Sequence, residues 1–135
     1  MSVRRLNKEL ISYPKDGQIR YKTGSSLLQQ QWEVFWSGKS IGVKITVPNE
    51  YPFQPPKMQL DVAIFHPNVH QQSMCLDSIT SWSPATTITD IVTEIHNLMT
   101  KPDLSRVLNP EAAELYSSNN AAYQVKVLAS LKAVA

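Results

Sequence analysis

The feature that most constrains the fold is a period-two alternation of apolar and polar residues on both sides of a short turn. Trp32, Val34 and Trp36 share one face of the first run, and residues 41–47 repeat the alternation after Ser37-Gly38-Lys39. Alternation of this kind is typical of strands that bury one face against a core. The two runs therefore predict an antiparallel hairpin with one covered face.

Two shorter extended runs complete the predicted sheet. Residues 19–22 precede the hairpin and residues 57–61 follow it, which predicts a four-stranded antiparallel meander. Before the last strand, Tyr51-Pro52-Phe53-Gln54-Pro55-Pro56 holds three of the nine prolines. Such a segment is expected to be extended and stiff, with its aromatic side chains either in the core or exposed as a surface knob.

Helical spacing precedes the sheet. Ser2 is expected to cap a helix whose apolar stripe includes Leu6 and Leu10. Arg4 and Arg5 lie largely off that stripe. They form either a solvated basic face or a docking surface.

Three more helices are predicted after the sheet. Thr87 and Asp90 have the spacing of a capping box. Asn109 followed by Pro110 is typical of a cap and a first-turn proline, and Ser118 is expected to start the last helix. This order of elements predicts an α+β fold.

Length and composition narrow the class of protein. With 135 residues and 42% hydrophobic content, we expect one domain, residues 1–135, with a substantial core. The net charge of +2 does not indicate a nucleic-acid partner. No apolar run approaches the roughly 20 residues of a membrane span. One cysteine and no signal-peptide core suggest a cytoplasmic or nuclear location.

Residues 66–77, between the sheet and the C-terminal helices, carry most of the chemistry. They contain the only cysteine, Cys75, and two of the three histidines, His66 and His70. Pro67 favours extended geometry at His66 and cannot donate a backbone hydrogen bond. The stretch is therefore predicted to be rigid and irregular, the kind of loop that often carries functional residues.

Three interpretations of Cys75 compete. A lone cysteine is most often a small buried hydrophobe. A zinc site with His66 and His70 would lack a fourth ligand and a second cysteine pair, so no metal is expected. The polar, rigid surroundings favour a nucleophile, because thiols are strongly nucleophilic.

Five short motifs occur in an order that resembles the ubiquitin-conjugating enzymes, and the resemblance runs through nearly the whole chain. The motifs are Tyr51-Pro52-Phe53-Gln54-Pro55-Pro56-Lys57, His66-Pro67-Asn68, Cys75-Leu76-Asp77, Trp82-Ser83-Pro84-Ala85 and Pro110-Glu111. The resemblance implies a UBC-like fold with an N-terminal helix, a four-stranded antiparallel meander, an active-site loop and three C-terminal helices.

The resemblance also implies an activity. Cys75 would accept ubiquitin, or a ubiquitin-like modifier, as a thioester from an activating enzyme and pass it to a substrate lysine, usually with a RING- or HECT-type ligase. No metal or organic cofactor is implied, since ATP is used by the activating enzyme. Two alternatives stay open: a catalytically silent binding module on the same fold, and a conjugating enzyme for a modifier other than ubiquitin.

The remaining candidate site residues follow from the matched motifs. Asn68 either stabilises the oxyanion of the transfer step, which an amide donor can do, or orders the loop. Asp77 and Asp103 are candidates for positioning the lysine, and Ser105 is a candidate gate. His66 and Pro67 would be structural residues of the loop. The expected docking residues are Arg4 and Arg5 for the activating enzyme, and Phe53, Pro84 and Ala85 for ligases, unless these last three pack in the core.

The chain departs from the common family pattern near Cys75. The link from His66 to Cys75 is one residue shorter and lacks a glycine. Ser105-Arg106 stands where an acidic pair is common, and Thr93 replaces a usual leucine. These departures put the rate and the choice of ligase in question more than the basic reaction.

Overall fold

A computed structural model describes residues 3–132 of the chain. Its elements occur in the predicted order, with a small hairpin and a four-residue helix added between sheet and C-terminal helices. They are α1 (Val3–Ser12), β1 (Ile19–Tyr21), β2 (Gln29–Trp36), β3 (Lys39–Thr46), β4 (Lys57–Leu60), β5 (Val69–His70), β6 (Ser73–Met74), α2 (Asp77–Thr80), α3 (Ile88–Thr100), α4 (Pro110–Ser118) and α5 (Asn120–Leu131).

The four-stranded antiparallel meander is confirmed, with the strand order β1-β2-β3-β4. Trp36 pairs with Lys39 at the end of the central hairpin. Its turn residues Ser37 and Gly38 have φ values of 47° and 74°, the positive values that a tight hairpin turn needs. The predicted alternation is also confirmed. Trp32 and Val34 are buried, whereas Phe35, the next residue along β2, is partly exposed.

Helix α3 covers the inner face of the sheet and packs on β2. Its buried stripe lies at helical spacing: Ile88, Ile91, Val92, Ile95 and Leu98. Burying an aliphatic side chain of this size typically contributes about 1.5–3 kcal/mol. The predicted capping box is confirmed, since Asp90 N donates to Thr87 Oγ1 at 3.1 Å and Thr87 N donates to Asp90 Oδ2 at 2.9 Å.

Helix α1 is attached to the rest of the fold through the buried carboxylate of Glu9. Its Oε1 accepts from Ile88 N at 2.8 Å, and its Oε2 accepts from the Tyr51 hydroxyl at 2.5 Å and from Arg5 Nε at 3.1 Å. Arg5 also donates to the carbonyl oxygens of Pro84 and Thr86. The Arg5 guanidinium is therefore held against neighbouring elements and is not simply a solvated charge, while its expected role in docking stays a prediction. Ser2, the predicted cap, lies outside the described residues.

The C-terminal helices are confirmed, with one boundary corrected. Asn109 Oδ1 accepts from Ala112 N at 3.1 Å, as expected for the cap before Pro110. The prediction that Ser118 starts the last helix is wrong, because Ser118 is the last residue of α4. Asn119 caps α5 instead, because its side chain accepts from Ala122 N at 3.1 Å. This single non-helical residue separates α4 from α5.

None of the helices within residues 3–132 has the length and apolar character needed to cross a membrane.

Candidate active site

Cys75 lies at the surface with a free thiol. It follows β6 directly and precedes Leu76, which is 1% exposed. The alternative of a buried hydrophobic cysteine is therefore wrong. Because the next residue, Leu76, is buried in the core, the backbone that carries the exposed thiol is anchored.

A small hairpin, β5–β6, leads to the cysteine. Its turn contains Gln71, with a φ of 56°. Gln72 joins this turn to the main sheet, because its carbonyl oxygen accepts from Leu60 N at 2.9 Å and its Nε2 donates to Leu60 O at 2.9 Å. The prediction of irregular chain is therefore wrong for residues 69–74. The hairpin escaped notice because its turn contains no glycine and each strand has only two residues.

His66 is 2% exposed and uses both ring nitrogens. Nδ1 accepts from Asn68 N at 2.9 Å, so Nε2 carries the proton that is donated to Leu98 O at 2.7 Å. Burial lowers the pKa of His66 to about 4, because desolvation disfavours the charged ring. The ring is therefore neutral at pH 7 and has no nitrogen left for a metal. Among residues 3–132, no three His, Cys, Asp or Glu side chains are grouped as a metal site requires.

Asn68 joins the chain before Cys75 to the loop between α3 and α4. Its Nδ2 donates to Asp103 O at 2.7 Å and to Arg106 O at 2.9 Å, and its Oδ1 accepts from Asp103 N at 2.8 Å. Pro67 O adds two contacts, accepting from Leu108 N at 2.8 Å and Asn109 N at 3.0 Å. Both amide hydrogens of Asn68 are thus committed to the loop, and one must be released before it could donate to an oxyanion.

Four charged side chains meet beside α2, two residues beyond Cys75. Arg106 Nη1 lies 2.7 Å from Asp77 Oδ1, its Nε lies 3.1 Å from Asp103 Oδ2, and its Nη2 lies 4.0 Å from Glu94 Oε2. Glu94 also accepts from Asp77 N at 2.8 Å and Ser78 N at 2.9 Å, which satisfies the first free N–H groups of α2. Asp77 and Asp103, the two candidate lysine-positioning residues, are therefore both ion-paired with Arg106.

Glu94 is a site residue that sequence reasoning missed. It lies in the middle of α3, where a carboxylate off the buried stripe looks like ordinary helix surface. No local signal shows that its partners are 16 and 17 residues away along the chain. Only the packing of α2 on α3 makes Glu94 part of the site.

Ser105 is bound to Asp103 rather than free. Its Oγ donates to Asp103 Oδ1 at 2.6 Å, and its backbone N donates to the same oxygen at 2.9 Å. These hydrogen bonds, followed by the one from Arg106, lower the pKa of Asp103. Asp103 is therefore ionised at neutral pH.

An exposed apolar surface lies on the loops next to α1. Phe53 is 78% exposed, and Pro84 and Ala85 are exposed, so the alternative that these residues pack in the core is wrong. Trp82 Nε1 donates to Pro52 O at 2.8 Å and joins the two loops. Of the two aromatics in the proline-rich segment, Tyr51 is in the core at 2% exposure and Phe53 is the surface knob.

Together, the meander sheet, the covering helices and one exposed thiol on an anchored loop define an α+β domain of the conjugating-enzyme class. The sequence matches the family model described as ubiquitin-conjugating enzyme over residues 7–131. The chain therefore belongs to the ubiquitin-conjugating enzyme family.

Solved structures with the same fold agree with this assignment. A Plasmodium yoelii protein described as a candidate ubiquitin-conjugating enzyme has 27% sequence identity and a TM-score of 0.80, covering 96% of this chain and 92% of its own. The E2 domain of a Toxoplasma gondii ubiquitin-conjugating enzyme has 25% identity and a TM-score of 0.78, covering 96% of both chains. The UBC-like fold predicted from the sequence is confirmed.

Proposed function

We propose that the protein is a catalytically active conjugating enzyme. Cys75 accepts ubiquitin, or a ubiquitin-like modifier, as a thioester and transfers it to an amine. The observation that carries this proposal is the exposed, free thiol of Cys75, two residues before Asp77, whose carboxylate is paired with Arg106. Membership of the family supports the reaction class.

In the charging step, the Cys75 sulfur attacks the modifier's activated C-terminal carbonyl on the activating enzyme. A new C–S bond forms, and the activating enzyme's own thiol leaves and takes up a proton. Thiols are strong nucleophiles even without a dedicated base. The exposure of Cys75 gives two large partners access to the sulfur.

In the discharge step, a substrate lysine attacks the thioester carbonyl. The ammonium first loses a proton, and the nitrogen then bonds to the carbonyl carbon. The nitrogen loses a second proton, and the C–S bond breaks as the Cys75 sulfur takes up one. Since a lysine in solution has a pKa near 10.4, a carboxylate that binds and orients the ammonium would help this step. Asp77 and Asp103, brought together on Arg106, are the residues we assign to it.

Exposed side chains on two parts of the domain are the basis for assigning docking surfaces for partner proteins. Phe53, Pro84 and Ala85 form the apolar surface that we assign to ligases, because an exposed aromatic on an anchored loop is a typical interface anchor. Arg4 is exposed on α1, and we assign it to the activating enzyme, whereas the side chain of Arg5 is already used within the fold.

The test is a charging assay with activating enzyme, ATP and a panel of modifiers, followed by non-reducing gels. We expect a reductant-sensitive adduct on the wild-type chain, at most a reductant-resistant ester on Cys75→Ser, and none on Cys75→Ala. An adduct that persists in Cys75→Ala contradicts the assignment of the nucleophile. A wild-type chain that no modifier charges would indicate a catalytically silent binding module instead.

A further inference from the structure

Arg106 contributes the guanidinium of the charged cluster at the start of α2, two residues after Cys75, and the proposed reaction gives it no role. It contacts Asp77 at 2.7 Å and Asp103 at 3.1 Å, and lies 4.0 Å from Glu94. A planar guanidinium can bind several carboxylates at once through its separate N–H groups. Arg106 therefore occupies the acids that would attract an incoming ammonium.

Contacts of both its backbone and its side chain hold Arg106 in place. Its carbonyl oxygen accepts from Asn68 Nδ2 at 2.9 Å, and its backbone N donates to Asp103 O at 3.4 Å. The hydrogen bond to Asp103 and the nearby carboxylates raise the pKa of Arg106. The guanidinium thus remains charged and directed at Asp77 whenever the loop is folded on Asn68.

We infer that Arg106 is a specificity-determining residue that disfavours a lone lysine ammonium as acceptor, an inference that rests on the proposed function. To be bound by Asp77, the ammonium has to displace Arg106 first. An uncharged nucleophile needs no carboxylate partner and meets no such competition. Arg106 therefore lowers the reactivity of free lysine relative to neutral nucleophiles.

The step itself is ordinary aminolysis. The lysine ammonium gives one proton to solvent, its nitrogen bonds to the thioester carbon, and the nitrogen then loses a second proton. The C–S bond breaks, and the Cys75 sulfur takes up one proton. Products are an amide, the free thiol and one net proton, so no further reactant is needed. Arg106 affects only the binding of the charged acceptor before attack.

The size of the effect follows from exposure. The Asp77 side chain is 74% exposed and that of Arg106 is 33% exposed, so water screens the pair. Surface ion pairs of this kind change an equilibrium by about fivefold at most. We expect Arg106→Gln to discharge to free lysine about threefold to fivefold faster than the wild type.

The experiment compares two nucleophiles on the pre-formed thioester in single-turnover discharge. Free lysine carries an ammonium, whereas hydroxylamine is an uncharged amine at neutral pH. Arg106→Gln should speed discharge to lysine and leave discharge to hydroxylamine unchanged. The matched control is Arg20→Gln, which removes an exposed pair with Glu33 on the sheet, 2.5 Å between Nη2 and Oε1. It should alter neither rate.

Each outcome decides the inference. Equal changes for both nucleophiles, no change, or slower lysine discharge would overturn it, as would an Arg106→Gln chain that folds but does not charge. If Arg106→Gln does not fold, Arg106→Lys replaces it. A lysine ammonium cannot bind two carboxylates in the planar geometry of a guanidinium, so discharge to free lysine should rise about twofold. No rise would overturn the inference. A wild-type chain that never forms the thioester contradicts the proposed function instead.

Discussion

Replacing Asn68 with alanine should release the loop that carries Asp103 and Arg106. Asn68 is 4% exposed, and its side chain makes three hydrogen bonds with the backbone of these two residues. Truncation removes the Asn68 partner of two carbonyl oxygens and one N–H, and Asp103 O keeps only the 3.4 Å hydrogen bond from Arg106 N. Because Asp103 and Arg106 are only partly buried, water can replace some of these bonds but not all.

The expected cost can be worked from those three bonds. A typical intramolecular hydrogen bond contributes about 0.5–1.5 kcal/mol net, so the free energy of unfolding should fall by roughly 2–3 kcal/mol. For a chain of this size the melting temperature should drop by roughly 10 °C. Urea unfolding and thermal melting measure both. Asn119→Ala is the matched control, since it removes one helix cap remote from the site and should cost about 1 kcal/mol.

The same variant tests the two roles of Asn68. Loss of an oxyanion donor typically slows the chemical step about 100- to 1000-fold, and that loss would appear in single-turnover discharge to lysine rather than in the folded fraction. Unchanged unfolding free energy together with such a slow discharge would refute the reasoning from hydrogen bonds. A destabilised variant whose thioester discharges normally would remove Asn68 from the catalytic residues.

Three other predictions concern pH and docking. The pKa of buried His66 is about 4 in the folded chain and near 6.5 in an unfolded one, so the folded state binds fewer protons. The stability that depends on its neutral ring is complete above about pH 6.5 and should fall by about 3 kcal/mol towards pH 4. Urea unfolding at both pH values should show this slope, and an equally steep slope in His66→Gln would contradict it. Phe53→Ala should leave charging unchanged and the free energy of unfolding within about 0.5 kcal/mol, yet weaken ligase-stimulated discharge; an unaltered ligase response would exclude the apolar surface. Arg4→Glu should slow charging at low salt more than Lys44→Glu does on the sheet, and equal charging rates would return Arg4 to the solvated face.

Local patterns predicted most of the fold. The period-two alternation around Trp32 and Ile41 and the caps at Thr87 and Asn109 are short-range features, and each is confirmed. The sequence predicts Ser118 as the start of the last helix, but serine and asparagine are both good caps, and the structure uses Asn119. Which of two neighbouring caps is used depends on where the preceding helix ends, which is decided by packing.

Sequence alone identified the family and most, but not all, of the residues at the candidate site; Glu94 was missed. The motifs around Asn68, Cys75 and Asp77 identified the family, because a family signature is carried by residue identity and order. Roles within the site are different, and the catalytic assignments of Asn68, Asp77, Asp103 and Ser105 stay predictions. The motif that contains Asn68 is the same whether its side chain donates to an oxyanion or holds a loop in place.

Only the tertiary structure decided the partners of those residues. Both amide hydrogens of Asn68 bond to a loop more than 30 residues later in the chain. Arg5 donates to the carbonyl oxygens of Pro84 and Thr86. Arg106 forms ion pairs with both Asp77 and Asp103. A side chain's hydrogen bonds and ion pairs depend on distance in space, whereas periodicity and motifs report only on neighbours along the chain. Contacts across long separations arise from how α3, α4 and their loop pack together, and that packing is a property of the whole fold.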